Sequence, residues 1–214
     1  MRSKLFVPAT RPDLFAKALG SAAECICIDL EAAVSEPRKD EAREIVRQLL
    51  HGGEAVASGK TLIVRVNAMD TPHFERDMAA VAQPGVHLIN LPKPASAAHV
   101  CAAIDALERA ELANGVRSPI GMLLNIETPA ALRLASELAL AHPRVKGLQL
   151  GLGDLFEPLG IARREPVAIQ QAMFAVRIAA GEAGVYAYDS AFADIADAAG
   201  YRALGVGDQP VLYR

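Results

Sequence analysis

Apolar residues occur along this chain in short unbroken runs, and most runs are followed by a stretch with helical spacing. The first run, Lys4 to Ala9 (K-L-F-V-P-A), is stopped by Thr10-Arg11-Pro12-Asp13, after which Leu14, Phe15, Ala18 and Leu19 recur at helical intervals. The pattern repeats at Cys25 to Glu31, Thr61 to Ala68, His87 to Lys93, Pro119 to Glu127, Val145 to Leu152 and Val185 to Tyr188, with a last short run at Pro210 to Tyr213. Helices are predicted over Arg38 to Leu50, from about Thr71, up to about Asn114, and from Pro129 onward. Strands that are apolar throughout are strands buried on both faces, so the pattern describes a parallel sheet covered by helices. Seven or eight such units favour a closed (β/α)8 TIM barrel over an open doubly wound sheet. No G-x-G-x-x-G follows the first strand and no G-x-x-x-x-G-K-[ST] occurs, which removes the commonest reasons for an open nucleotide-binding sheet. The barrel strands are expected at Leu5–Pro8, Ile26–Leu30, Leu62–Val66, Leu88–Leu91, Met122–Ile126, Leu148–Leu150 and Val185–Ala187. Val211–Tyr213 would be a weak eighth, leaving a short or degenerate last β/α unit.

Length and composition narrow this only a little. The 214 residues are read as one domain, 1–214, with 52% hydrophobic and 22% charged residues and no segment suggestive of disorder. A net charge of -3 offers no basic field for nucleic acid. The apolar runs are strand-sized, well short of a membrane span, and the N-terminus lacks the long apolar core of a signal peptide, so a cytoplasmic address is expected. Cys25, Cys27 and Cys101 are an odd count without C-x-x-C spacing and read as free thiols.

In a barrel, functional residues gather at strand C-termini and in the loops that follow. The polar residues that interrupt or end the runs are Asp29 and Glu31, Arg65 and Asn67, Lys93, Asn125 and Glu127, Asp154, and Asp189. Any one alone is more often a solvated rim residue or a helix cap. Glu127 and Asp154 gain by being two carboxylates closing successive runs about 27 residues apart, because Mg²⁺ is held by one or two carboxylates plus water and substrate oxygens. Arg65 interrupts T-L-I-V-R-V-N-A. Its ordinary role would be an ion pair with Glu127 or Glu31, and its functional role a bidentate clamp on a substrate carboxylate.

These residues lie in a series of motifs that resembles the citrate lyase beta-subunit-like group of the HpcH/HpaI aldolase superfamily. L-F-V-P-A-T-R-P, I-D-L-E-A-A-V with Lys39 and Arg43 downstream, V-R-V-N-A, L-P-K-P-A-S, I-E-T-P and G-L-G-D-L-F-E-P-L-G follow in the group's order. The resemblance implies a (β/α)8 barrel that binds Mg²⁺, or Mn²⁺ in its place, and makes or breaks a carbon–carbon bond in a 3-hydroxyacyl-CoA ester such as citryl-CoA or malyl-CoA. The metal-binding Glu and Asp fall on Glu127 and Asp154, and the substrate-binding Arg on Arg65. Arg65 and Glu127 are thus the expected catalytic and substrate-binding residues, an acyl-CoA is the expected small-molecule partner, and a homo-oligomer, often a trimer, is implied. Two acids of the pattern are replaced, by Ala32 and Gly153, and the chain stops where members with a C-terminal lid continue, so no lid is expected in cis. A metal-dependent aldolase of 2-keto-3-deoxy sugar acids and a non-catalytic barrel subunit are the other readings.

Overall fold

A computed structural model of the protein describes residues 3–191. Seven strands, β1 (Lys4–Pro8), β2 (Cys25–Asp29), β3 (Thr61–Arg65), β4 (Leu88–Leu91), β5 (Gly121–Ile126), β6 (Val145–Leu150) and β7 (Tyr186–Tyr188), are hydrogen-bonded neighbours in chain order within one sheet. The pairs β1–β2, β2–β3, β3–β4 and β6–β7 run parallel. Between them lie α1 (Phe15–Leu19), α2 (Lys39–His51), α3 (Glu54–Ala57), α4 (Phe74–Val81), α5 (Ala97–Ala113), α6 (Pro129–Arg133), α7 (Ala135–Leu140), α8 (Leu152–Phe156) and α9 (Pro166–Ala183). The α/β class with a parallel sheet is as read from the apolar runs. The weak eighth strand at Val211–Tyr213 lies outside the described residues.

The described residues divide into two compact units, one formed by Ser3–Leu91 with Ala102–Met122 and the other by Pro92–Cys101 with 123–191. In the first, every residue of β2 is buried, as full-length apolar strands require. Helix α2 places acidic Asp40 and Glu41 in its first turn, where the helix dipole favours them, and buries Ala42, Val46 and Leu50 at helical spacing. The strands β2 and β3 begin and end one residue earlier than expected. Leu30 N–H still donates to Arg65 O and Val66 N–H to Asn90 O. Beyond them side-chain carboxylates capture the backbone: Asp29 accepts from the N–H of Glu31 and Ala33, and Asp77 from that of Asn67.

In the second unit the helix expected after β5 is two short helices that meet at Leu134. Helix α6 starts sharply because Thr128 Oγ1 accepts from Ala131 N–H at 3.1 Å and Pro129 occupies the first turn, where its missing N–H costs nothing. Helix α9 ends on Gly184 in the left-handed region (φ 66°), and Val185 N–H bonds back to Ala180 O. That bond assigns Val185 to the helix terminus, which moves β7 one residue later than expected.

Candidate active site

Within the second unit, Glu127 follows the last residue of β5 and is 3% exposed. A carboxylate so deep needs hydrogen bonds, and both oxygens have one: Oε1 accepts from the backbone N–H of Lys93 at 3.1 Å and Oε2 from the Asn125 side-chain amide at 3.2 Å. Its seat exists because residue 151 is glycine. A Cβ there would lie 2.6 Å from Glu127 Cβ and 2.8 Å from Oε2, closer than atoms pack. Asp154 does not close β6, which ends at Leu150; it sits in the first turn of α8, and its Oδ2 is 2.9 Å from Lys93 Nζ. Lys93 therefore joins the two expected metal ligands, one through its main chain and the other through its side chain. The start of α8 is fastened to the segment after β7 by Leu152 N–H, which donates to Ser190 Oγ at 3.0 Å. Beside it, burial pushes the Asp189 carboxyl above its ordinary range, against the Ser190 N–H that donates to it.

These groups suit a hard divalent cation. The donors would be carboxylate oxygens, the hard ligands that such a cation takes. Among the described residues no three His, Cys, Asp or Glu side chains gather as a metal cluster. Cys25, Cys27 and Cys101 are free, the first two buried.

In the first unit, one row of the sheet runs Pro8, Asp29, Arg65, Asn90 across β1 to β4. Register makes Asp29 the neighbour of Arg65, and the two form a fork: Arg65 Nε to Oδ1 at 2.8 Å and Nη2 to Oδ2 at 2.6 Å. Nη1 lies 3.1 Å from Glu31 Oε2. Of the partners named from sequence, Glu31 is present, and Asp29 takes the larger share. Burial opposes the Arg65 charge, yet the hydrogen bonds and charge of Asp29, with Glu31, outweigh it and hold its pKa above the usual arginine value. A guanidinium has five N–H donors, so Asp29 and Glu31 leave Nη N–H groups for a ligand carboxylate. Beneath this pair is a residue that sequence reasoning met only as part of a motif. Lys39, 7% exposed, donates to Leu30 O, Glu31 O and Asn67 Oδ1 at 2.6–2.7 Å, pinning the turn that carries Glu31. Burial lowers its pKa, partly countered by the charges of Asp77, Asp29 and Glu31. Ala32 lies exposed in that turn, and Gly153 lies where a Cβ would touch the Arg163 guanidinium at 3.4 Å.

The sheet carries a buried acid just beyond β5, a second acid in the first turn of α8 after β6, and a forked Arg at the end of β3, in an α/β protein. The chain belongs to the HpcH/HpaI aldolase/citrate lyase family, whose profile matches residues 2–207. It is similar to the L-malyl-CoA/beta-methylmalyl-CoA lyase of Rhodobacter capsulatus, with 32% identity over 94% of this chain and 70% of that protein. It is also similar to the (3S)-malyl-CoA thioesterase of Cereibacter sphaeroides, with 34% identity over 94% of this chain and 67% of that protein. Among solved structures, the citrate lyase beta subunit from M. tuberculosis complexed with oxaloacetate and magnesium matches with a TM-score of 0.75 and 30% identity, covering 97% of this chain and 88% of that one.

Proposed function

We propose that this protein is a Mg²⁺-dependent carbon–carbon lyase that cleaves a 3-hydroxyacyl-CoA ester of the malyl-CoA type into a shorter acyl-CoA and an oxo acid. The observation that carries the reading is the similarity to a malyl-CoA lyase along 94% of the chain. Glu127 and Asp154 would hold the cation, which would supply Lewis acidity to substrate oxygens. Glu127 keeps a fixed orientation through Lys93 N–H and Asn125. Arg65, braced by Asp29 and Glu31, binds and orients the carboxylate of the half that becomes the oxo acid. A closed (β/α)8 barrel is proposed with this reading, supported by the TM-score of 0.75; assembly as a homo-oligomer is proposed from the family resemblance alone.

A second reading, hydrolysis of the thioester, is favoured by the 34% identity to a malyl-CoA thioesterase. One assay separates the two. Malyl-CoA, citramalyl-CoA, citryl-CoA and a 2-keto-3-deoxy sugar acid are offered with Mg²⁺ and with EDTA, and free thiol and oxo acid are both followed. A lyase yields oxo acid without free thiol, loses activity in EDTA and regains it on adding Mg²⁺. Thiol released without oxo acid would establish the thioesterase instead, and an inert protein would return the reading to a non-catalytic subunit.

A further inference from the structure

We propose that Lys93 is the site's own counter-cation: its ammonium holds Asp154 while no metal is bound, leaves when a divalent cation arrives, and thereby sets the affinity for that cation. The inference rests on the reading of Glu127 and Asp154 as metal ligands and adds a residue that tunes them. Lys93 has φ 48°, the left-handed region, and is the one non-glycine with positive φ among the described residues. It stands between Pro92 and Pro94, and a following proline pushes its neighbour toward extended backbone, so this conformation is opposed twice over. Such backbone persists only where its surroundings over-determine it, and here its N–H is held by Glu127 Oε1 at 3.1 Å.

The two ends of the residue are therefore unlike. The main chain is fixed by its bond to Glu127, whereas the ammonium–Asp154 pair at 2.9 Å joins side chains 42% and 49% exposed. An ion pair so open to water is weakly held and releases its ammonium at little cost. A cation approaching Asp154 meets a positive charge already on Oδ2 and must displace it, while the Lys93 N–H keeps Glu127 in place throughout. Removing the ammonium should therefore tighten metal binding. A lysine that merely braced the site would have the opposite effect when removed.

The test is calorimetric titration of Mg²⁺ alone into wild type, Lys93→Met, Lys93→Arg, Glu127→Gln and Lys146→Met. Lys93→Met is expected to bind Mg²⁺ roughly two- to fivefold more tightly, the range that an exposed ion pair supplies. Lys93→Arg, whose fork grips a carboxylate in two places, is expected to bind it more weakly. Lys146→Met makes the same change of net charge on the exposed position of β6 and should leave the affinity unchanged. A folded Lys93→Met that binds Mg²⁺ as wild type does, or less well, overturns the counter-cation while leaving the metal site standing; should that variant not fold, tighter or equal binding by Lys93→Arg overturns it. Wild type that fails to bind Mg²⁺, or binds it equally after Glu127→Gln, overturns the metal site and this inference together.

Discussion

At the scale of single residues, Glu127 depends on an absent side chain and Asp29 on a planar one. Gly151 is required by what lies against it: a methyl group there would press on Glu127 Cβ from 2.6 Å, and the neighbour is the root of a buried side chain that cannot swing away. Gly151→Ala is expected to shift Glu127, weaken Mg²⁺ binding in calorimetry, and cost about 1–3 kcal/mol in urea unfolding, the usual penalty of overpacking. Arg65→Lys keeps the charge but loses the two-pronged contact with Asp29. Steady-state kinetics on the best substrate should show kcat/KM falling at least tenfold, with Mg²⁺ affinity little changed. Normal kinetics in that variant would reduce Arg65 to an ion-pair partner.

At the scale of elements, helices α2 and α4 are locked to the end of β3 by a buried charge. Asp77 is fully buried on α4, accepts from Arg43 of α2 at 2.9 Å, and accepts from the main chain and the side-chain amide of Asn67 at 2.8 and 2.6 Å. Arg43 also pairs with Asp40, and His73 Nε2 lies 2.7 Å from Glu36 Oε1 beside them. Asp77→Ala takes from Arg43 its buried acid, leaving it only the exposed Asp40, and takes from the Asn67 main-chain N–H its acceptor. Urea unfolding should show a loss of about 3–5 kcal/mol, with Asp77→Asn losing less because it keeps an acceptor. Helix α6 gives a smaller effect at a more telling place. Thr128→Ala removes the cap immediately after Glu127 and should cost about 1 kcal/mol.

At the scale of the whole molecule, stability should depend on pH through Asp189, whose carboxyl burial holds above the ordinary range. The folded protein then keeps a proton that the unfolded chain has released, so stability is fullest below the unfolded carboxylate pKa and declines as pH rises through the folded value. Asp189→Asn cannot titrate. The unfolding free energies of variant and wild type, compared across this acidic range, should diverge in favour of the variant as pH rises; a constant difference would mean that Asp189 titrates as it does in the unfolded chain. Much of this architecture was legible in the chain. Short runs that are apolar throughout, each followed by a helical stretch, read as strands covered on both faces, which gives the α/β class, the order of elements and the place of Glu127 at a strand exit. A carboxylate at the end of such a run also marks itself, because burial is costly unless something accepts its charge. The partners of these residues were another matter. That Asp29 rather than Glu127 takes the fork of Arg65 follows from strand register, which pairs residues 36 apart in sequence. That Asp154 sits in a turn of helix, and that Lys93 reaches both acids from a left-handed backbone, are set by loops whose conformation depends on contacts across 34 residues and more. Periodicity reports which face of an element is buried, whereas ion pairs between elements are chosen by distance in three dimensions, and only the tertiary structure decides those.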